Sequence, residues 1–289
     1  MELALDLSPP ESKHYRSWNE RLRYVARYSQ PEEIQMACEM ARAVGVTAVM
    51  AVLDRRTEAA LREFQIWREL SLWAVVPNMY AFIRDLTDRG LVGAALARFL
   101  RLRPAAMVAA GANALREIGP LARSDFSAGA LWLAQMELAA AQGLLIRRVF
   151  LHPQLTEIAF AGRVRGLFTE FASRARSLGM EPGLVTHNPV VAAEVLGADL
   201  DAFAAIVAPC NPKGYKMLPN RDAGEALYRS RSDRFWASEV TAGGSLSVEA
   251  GLAHARTLVL AGAMLDFRAV EAQFRAGSSP ILGAAVPPV

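Results

Sequence analysis

Lysine, histidine and cysteine are scarce in this chain. Of its 32 basic residues only Lys13, Lys213 and Lys216 are lysines, and it has four histidines and two cysteines. The cysteines, Cys38 and Cys210, lie far apart and form no CxxC motif. The sequence therefore predicts neither a disulfide framework nor a structural zinc site, and it fits a reducing cytoplasm.

Long apolar runs are also missing, because no segment reaches the roughly 20 apolar residues that a membrane-spanning helix needs. Residues 1–18 are acidic, are broken by Pro9 and Pro10, and lack the basic start and apolar core of a signal peptide. No segment interleaves basic with aromatic side chains as nucleic-acid-binding surfaces do. We therefore expect a cytoplasmic protein with no membrane and no nucleic acid among its partners.

The length and composition suit one domain with a large core, since the chain has 289 residues, 53% of them hydrophobic, and a net charge of +3. Apolar, β-rich runs alternate with helical patterns. This alternation predicts an α/β fold, a (β/α)8 TIM barrel that takes in residues 1–289. The eight predicted strands are Leu22–Ser29, Val46–Asp54, Leu70–Asn78, Arg147–Gln154, Glu181–Asn188, Ala204–Asn211, Arg234–Thr241 and Met264–Val270.

Two segments depart from the regular alternation. Residues 80–123 lie between predicted strands 3 and 4, and we expect them to form a helical insertion that serves as a lid or as a homodimer contact. Residues 277–289 are predicted to be a loose C-terminal tail.

Candidate catalytic residues stand where predicted strands end, because barrel active sites are built at the C-terminal ends of the strands. Asp54, His152, His187 and Glu239 occupy such ends. Imidazole titrates near neutral pH and a carboxylate can take or give a proton, so we predict that these four are catalytic. The predicted substrate-binding residues are Arg27, Gln154, Asn188, Asn211, Lys213, Lys216, Gly243 and Gly244.

This set favours a small anionic substrate with a reacting carbonyl. Lys213, Lys216 and the backbone N–H groups of Gly243 and Gly244, which precede a helix, can hold a phosphate or carboxylate. The leading hypothesis is therefore a lyase or isomerase. Single residues keep a second interpretation: Asp54 also suits a helix N-cap, as does Asn188.

The order of motifs resembles the aldo-keto reductase barrel. An aspartate ends VMAVLD at Asp54, a His-Pro pair ends VFLHPQ at His152, and strand 5 reads GLVTHNP. The segments FLHPQLTE, APCNPKGYKM and ASEVTAGGSLSVEAGLAHA are similar to uncharacterised prokaryotic barrels related to that fold. The resemblance implies catalytic roles for Asp54 and His152, but the family's tyrosine after strand 2 and lysine on strand 3 have no counterpart here.

Three other functions remain open, and the sequence leaves the cofactor unknown. One is a divergent NAD(P)H-dependent oxidoreductase, as the resemblance implies. Another is a metal-dependent hydrolase that uses His152, His187 and Glu239 as a two-histidine, one-carboxylate set. The last is a binding barrel without catalysis, which would have no titratable side chain facing a cavity.

Overall fold

Eight parallel strands close into a barrel in which each strand pairs with its neighbours in chain order. The computed structural model describes residues 1–8, 17–28, 30–102, 104, 107 and 126–277. This architecture confirms the predicted (β/α)8 fold. The strands are β1 (Glu2–Asp6), β2 (Ala48–Val52), β3 (Ser71–Val76), β4 (Ile146–Leu151), β5 (Glu181–Val185), β6 (Ala205–Pro209), β7 (Phe235–Ser238) and β8 (Gly262–Asp266).

Helices cover the outside of the barrel, and their apolar faces bury a continuous layer against the strands. Within the described segments, no helix has both the length and the apolar character to cross a bilayer. The helices are α1 (Trp18–Arg27), α2 (Pro31–Ala43), α3 (Arg55–Glu63), α4 (Met79–Phe99), α5 (Phe126–Ala140), α6 (Pro153–Ala161), α7 (Arg165–Ser177), α8 (Pro189–Leu196), α9 (Arg221–Ser230), α10 (Val248–Thr257) and α11 (Phe267–Arg275).

Polar residues at the strand ends also start the next helices. Their side chains accept a hydrogen bond from a backbone N–H in the first turn, which satisfies a donor that the helix itself leaves free. A strand-end polar residue can therefore be structural even where the fold places active sites. The residues that cap helices directly after strands are Asp54, Asn78, His152, Asn188 and Asp266.

The barrel lumen is filled by every second strand residue, with bulky aromatic rings near the N-terminal end. The indole of Trp73 contacts Trp236 edge to face at 4.6 Å and Phe150 at 5.5 Å between ring centroids. These rings fit because small residues oppose them. A Cβ on Gly183 would lie 2.3 Å from Phe150, and one on Gly262 would lie 2.3 Å from Trp236. The lower lumen is thus closed, which leaves room only towards the C-terminal mouth.

The prediction for the first strand is wrong. Strand was predicted for Leu22–Ser29, but the described residues 22–28 of that segment lie in helix α1 and its C-cap, and β1 is formed by Glu2–Asp6 instead. Ser17 caps α1 by accepting the Glu20 N–H at 3.1 Å, so a capping pattern outweighs the β-favouring side chains of the segment. Arg27 therefore does not end a strand.

The last predicted strand is displaced towards the N-terminus. Strand β8 ends at Asp266, and residues Phe267–Arg275 form α11, whereas Met264–Val270 had been predicted as strand. The Asp266 side chain accepts the Ala269 N–H at 2.9 Å and so begins the helix.

Between β3 and β4 the described residues include α4, whose backbone bends at Gly90 (φ 69°), and α5. Most of the rest of the predicted insertion, residues 108–123, lies outside the described residues. The predicted tail also lies outside them, apart from Gly277. The insertion and the tail therefore stay predictions.

Candidate active site at the barrel mouth

A cavity of about 190 Å³ opens at the C-terminal end of the barrel. Its apolar floor is formed by lumen residues in the upper layer of the strands, and polar side chains stand around its rim. Lumen-facing positions recur every second residue, so the position two beyond Ala4, Phe150 or Met264 also points inwards. That parity brings Asp6, His152 and Asp266 to the rim. The floor residues are Met50, Val52, Val75, Val185, Val207 and Met264.

His152 is fully buried at the edge of this cavity. Its Nδ1 accepts the backbone N–H of Gln154 at 3.3 Å, so in the neutral imidazole the proton is on Nε2. Within the described part of the chain, Nε2 has no hydrogen-bond partner. Burial lowers the pKa of His152 to about 4. The side chain is therefore a neutral hydrogen-bond donor at physiological pH.

The ring of Tyr80, in the first turn of α4, stands edge-on to the His152 imidazole with ring centroids 4.9 Å apart. Tyr80 lines the cavity and is itself 37% exposed. It thus lies between the imidazole and solvent on this side of the mouth.

An ion pair crosses the opposite side of the mouth. The Lys216 Nζ lies 2.6 Å from the Glu239 Oε1, and both side chains line the cavity. Both residues have left-handed backbones, with φ of 57° and 54°. Non-glycine residues seldom adopt this conformation unless the surrounding structure imposes it.

The loop after β6 is held by the buried side-chain amide of Asn211. The Asn211 side chain accepts the Tyr215 N–H at 2.9 Å and donates to the Tyr215 carbonyl at 3.0 Å. Lys213 donates to the Ser245 carbonyl at 3.3 Å, which ties this loop to the one after β7. Asn211 and Lys213 therefore position Lys216 and are not among the residues that line the cavity.

Beside β5, Glu157 organises the backbone and side chain of His187. Its Oε1 accepts the His187 N–H at 2.6 Å and the Thr186 hydroxyl at 3.0 Å, and it lies 3.6 Å from the His187 Nδ1. Burial would raise the pKa of Glu157, but the hydrogen bonds from His187 and Thr186 outweigh burial and hold that pKa below its usual value. His187 lines the cavity with this carboxylate behind it.

Sequence reasoning missed the side of the mouth formed by β1 and β8. Asp6 accepts hydrogen bonds from the Ser8 N–H at 2.9 Å and the Ser8 hydroxyl at 2.5 Å. Asp266 pairs with Arg268 at 2.7 Å, and all four residues line the cavity. The strict alternation of MELALDLS was the signal that could have identified β1.

Several predicted site residues lie elsewhere. Arg27 pairs with Glu33 and Glu271 on the outer helices, each at 2.6 Å, and it does not line the cavity at the barrel mouth. Asp54 accepts the Thr57 N–H at 2.7 Å and faces a different cleft. The other predicted residues that do not line the cavity are Gln154 and Asn188, in the first turns or caps of α6 and α8, and Gly243 and Gly244 in the turn after β7.

The turn after β7 uses much of its backbone internally. The Gly244 N–H donates to the Thr241 carbonyl at 3.0 Å, as does the Leu246 N–H. Gly243 adopts φ 67° against the Tyr215 ring. The expected anion-binding role of the Gly243 and Gly244 amides is not supported by this arrangement.

Among the residues described, no group of three or more His, Cys, Asp or Glu side chains is placed to hold a metal ion. His152, His187 and Glu239 therefore do not form the ligand set that the hydrolase hypothesis requires. Comparisons with protein-family models, curated proteins and solved structures find no match for the chain.

Proposed function

We propose that the protein is an enzyme that carries out acid–base chemistry at the carbonyl group of a small molecule, as an isomerase or a lyase. The (β/α)8 fold is common among enzymes, but the fold alone assigns no reaction. The observation that carries the proposal is the neutral His152 imidazole, which shares a cavity with the Glu239 carboxylate and whose Nε2–H has no partner among the residues that the structure describes.

These two groups suit the two ends of an enolisation. The Nε2–H of His152 donates a hydrogen bond to the substrate carbonyl oxygen, where negative charge develops. The Glu239 carboxylate accepts the proton from the adjacent carbon, and that electron pair forms the new carbon–carbon double bond as the carbonyl electrons move to oxygen. Return of the proton to the neighbouring carbon gives an isomerase, and loss of a leaving group gives a lyase.

Lys216 acts in this scheme through Glu239. Its ammonium group holds the carboxylate in one place and balances its charge. Because Lys216 already has this partner, it is a weaker candidate for binding the anionic group of a substrate than its loop position suggested. The His187–Glu157 pair is placed to return or relay a proton at the rim.

The alternatives have less support. A binding barrel without catalysis would have no titratable side chain facing a cavity, whereas His152, His187 and Glu239 all line this one. The reductase hypothesis requires Asp54 and His152 to act together, but Asp54 lines the other cleft and caps α3.

The test is deuterium exchange at carbon, which reports proton abstraction without knowledge of the product. A panel of small 2-oxo acids and 2-hydroxy carbonyl compounds is incubated with the enzyme in D2O and followed by proton NMR. Glu239→Gln should lower the exchange rate by about 10²–10⁴-fold, the usual contribution of a general base. His152→Asn keeps an oxygen acceptor for the cap of α6 but removes Nε2–H, and it should lower exchange by about 10²-fold or more.

The control is Glu170→Gln, which removes a carboxylate on α7 that pairs with Arg174 in the i,i+4 register and does not line the cavity. It should exchange at the wild-type rate. Exchange that survives both cavity substitutions, or none with any compound of the panel, would count against carbonyl chemistry at this site.

A further inference from the structure

A second cleft, of about 640 Å³, lies beside the barrel mouth between the start of α3 and the helix α4. Tyr80 lines both this cleft and the barrel cavity, so the two are neighbours. The cleft is unusually rich in arginine. Its guanidinium groups belong to Arg55, Arg56, Arg84, Arg89, Arg98 and Arg101.

Carboxylates neutralise only the inner part of this cluster. Arg98 lies 3.0 Å from Asp85 and 3.6 Å from Glu137, and Arg101 lies 2.9 Å from Glu58. Because Arg98 is only 3% exposed, these contacts fix it rigidly in the floor of the cleft.

The outer arginines are different. Arg55, Arg84 and Arg89 are exposed, and none of them has an ion-pair partner among the residues described. Among the residues described, six guanidinium groups therefore face four carboxylates, those of Asp54, Glu58, Asp85 and Glu137. The cleft carries a surplus of positive charge at its opening.

One hydrogen-bond donor inside the cleft is available to a ligand. The Nε–H group of Arg56 is buried and has no hydrogen-bond partner in the described part of the chain, whereas the Arg98 Nε faces the Glu137 Oε1 at 3.6 Å. A buried donor without a partner is costly, so native structures usually satisfy it with an acceptor. An oxyanion supplies several acceptors at once.

The chemistry of arginine decides which oxyanion fits. The planar guanidinium presents paired N–H donors that match two oxygens of one phosphate, and it stays charged at every physiological pH. Several such forks around one cleft suit a group with three free oxygens and about two negative charges better than a carboxylate with two oxygens and one.

We propose that this cleft binds a phosphate dianion, either free or as the phosphoryl group of a small organic molecule. The site does not require the barrel cavity to be catalytic. If the ligand is an organic phosphate, its uncharged part extends past Tyr80 towards the barrel cavity. Only this version of the proposal, with an organic phosphate as ligand, rests on the proposed function.

The experiment is isothermal titration calorimetry of the full chain with inorganic phosphate and with glycerol 3-phosphate, at an ionic strength of about 0.15 M, where the Debye length is about 8 Å. A triple variant, Arg55→Ala with Arg84→Ala and Arg89→Ala, removes only exposed side chains without ion pairs, so the fold should be retained and is checked by circular dichroism. The proposal expects the dissociation constant for phosphate to rise by about tenfold or more, equivalent to roughly one lost charge-assisted contact.

The matched control removes the same number of charges from exposed arginines outside the cleft, at Arg163, Arg229 and Arg275. It should change the affinity by less than about twofold, because exposed charges beyond a Debye length are largely screened. Equal weakening in the two triple variants would overturn the proposal, as would the absence of phosphate binding to the wild type.

The two titrants separate the two sources of the phosphate. Equal affinities identify free phosphate as the ligand, and tighter binding of glycerol 3-phosphate identifies an organic phosphate. His152→Asn should leave phosphate affinity unchanged. A wild-type protein that binds phosphate but exchanges no deuterium with any compound of the panel would refute only the proposed function. A wild-type protein that exchanges deuterium but binds no phosphate would refute only the phosphate site.

Discussion

The neutral state of His152 has a consequence for stability that can be worked out from its pKa. Burial lowers that pKa from 6.5 to about 4, so between these values the unfolded chain binds a proton that the folded chain does not. His152 therefore contributes its full stabilisation above pH 6.5, and the free energy of unfolding decreases as the pH falls below that value. The loss is about 1 kcal/mol at pH 5.5 and about 2–3 kcal/mol at pH 4.5.

Comparison with His152→Asn isolates this contribution. Asparagine keeps an oxygen that can accept the Gln154 N–H and cap α6, but it does not titrate. The free energy of unfolding is measured for both proteins by urea denaturation at pH 7.5, 5.5 and 4.5. The void left by the smaller side chain adds a constant difference, because it does not depend on pH.

As the pH falls, the free energy of unfolding of the wild type should therefore decrease relative to that of His152→Asn by the amounts given above. Other titrating groups are common to both proteins and cancel. A difference that stays constant from pH 7.5 to 4.5 would mean that the folded imidazole takes up a proton normally. In that case His152 would not be the neutral donor on which the proposed chemistry depends.

Three further predictions concern other positions. Burial raises the pKa of Glu137 to about 7, so the stabilisation that its protonated form gives the folded state is lost as the pH rises from 4.5 through 7. In urea denaturation, the free energy of unfolding of the wild type should fall by up to ~3 kcal/mol relative to that of Glu137→Gln over that window. Gly262→Ala should destabilise the barrel by ~2 kcal/mol or more in thermal or urea unfolding, because its Cβ would overlap the Trp236 ring. Asp54→Ala should lower the unfolding free energy by ~1 kcal/mol through loss of the α3 cap, and it should leave deuterium exchange unchanged.

The barrel itself could be predicted because six of its strands are apolar runs bounded by helix starts. Runs that are covered on both faces read as continuous hydrophobic segments, as β2, β3 and β6 do. The first strand has only five residues and alternates, with Leu3 and Leu5 packed under the helices and Ala4 in the lumen. Its place shortly before two prolines concealed it, and the error removed Asp6 from the predicted site.

The candidate site was predictable only to the level of strand ends. His152, His187, Lys216 and Glu239 lie around one cavity because parallel strands bring their C-terminal ends together. Sequence could not separate these residues from Asp54, Asn188 and Asn211, whose side chains bind backbone groups instead. The same residue types serve both purposes, and the choice depends on side-chain direction, which position along the chain does not determine.

The backbone conformation of Lys216 and Glu239 indicates whether their ion pair stabilises the fold. A partly exposed ion pair contributes about 0–1 kcal/mol, whereas each non-glycine residue in a left-handed conformation costs about 1 kcal/mol or more. Both partners of this pair adopt that conformation, so the backbone strain at the two residues exceeds the stabilisation that their ion pair contributes. Each position could have relieved the strain with glycine, as Gly214 does two residues before Lys216. Because this pair lines the barrel cavity and does not stabilise the fold, it favours the role that we propose for Glu239 and Lys216 in acid–base chemistry.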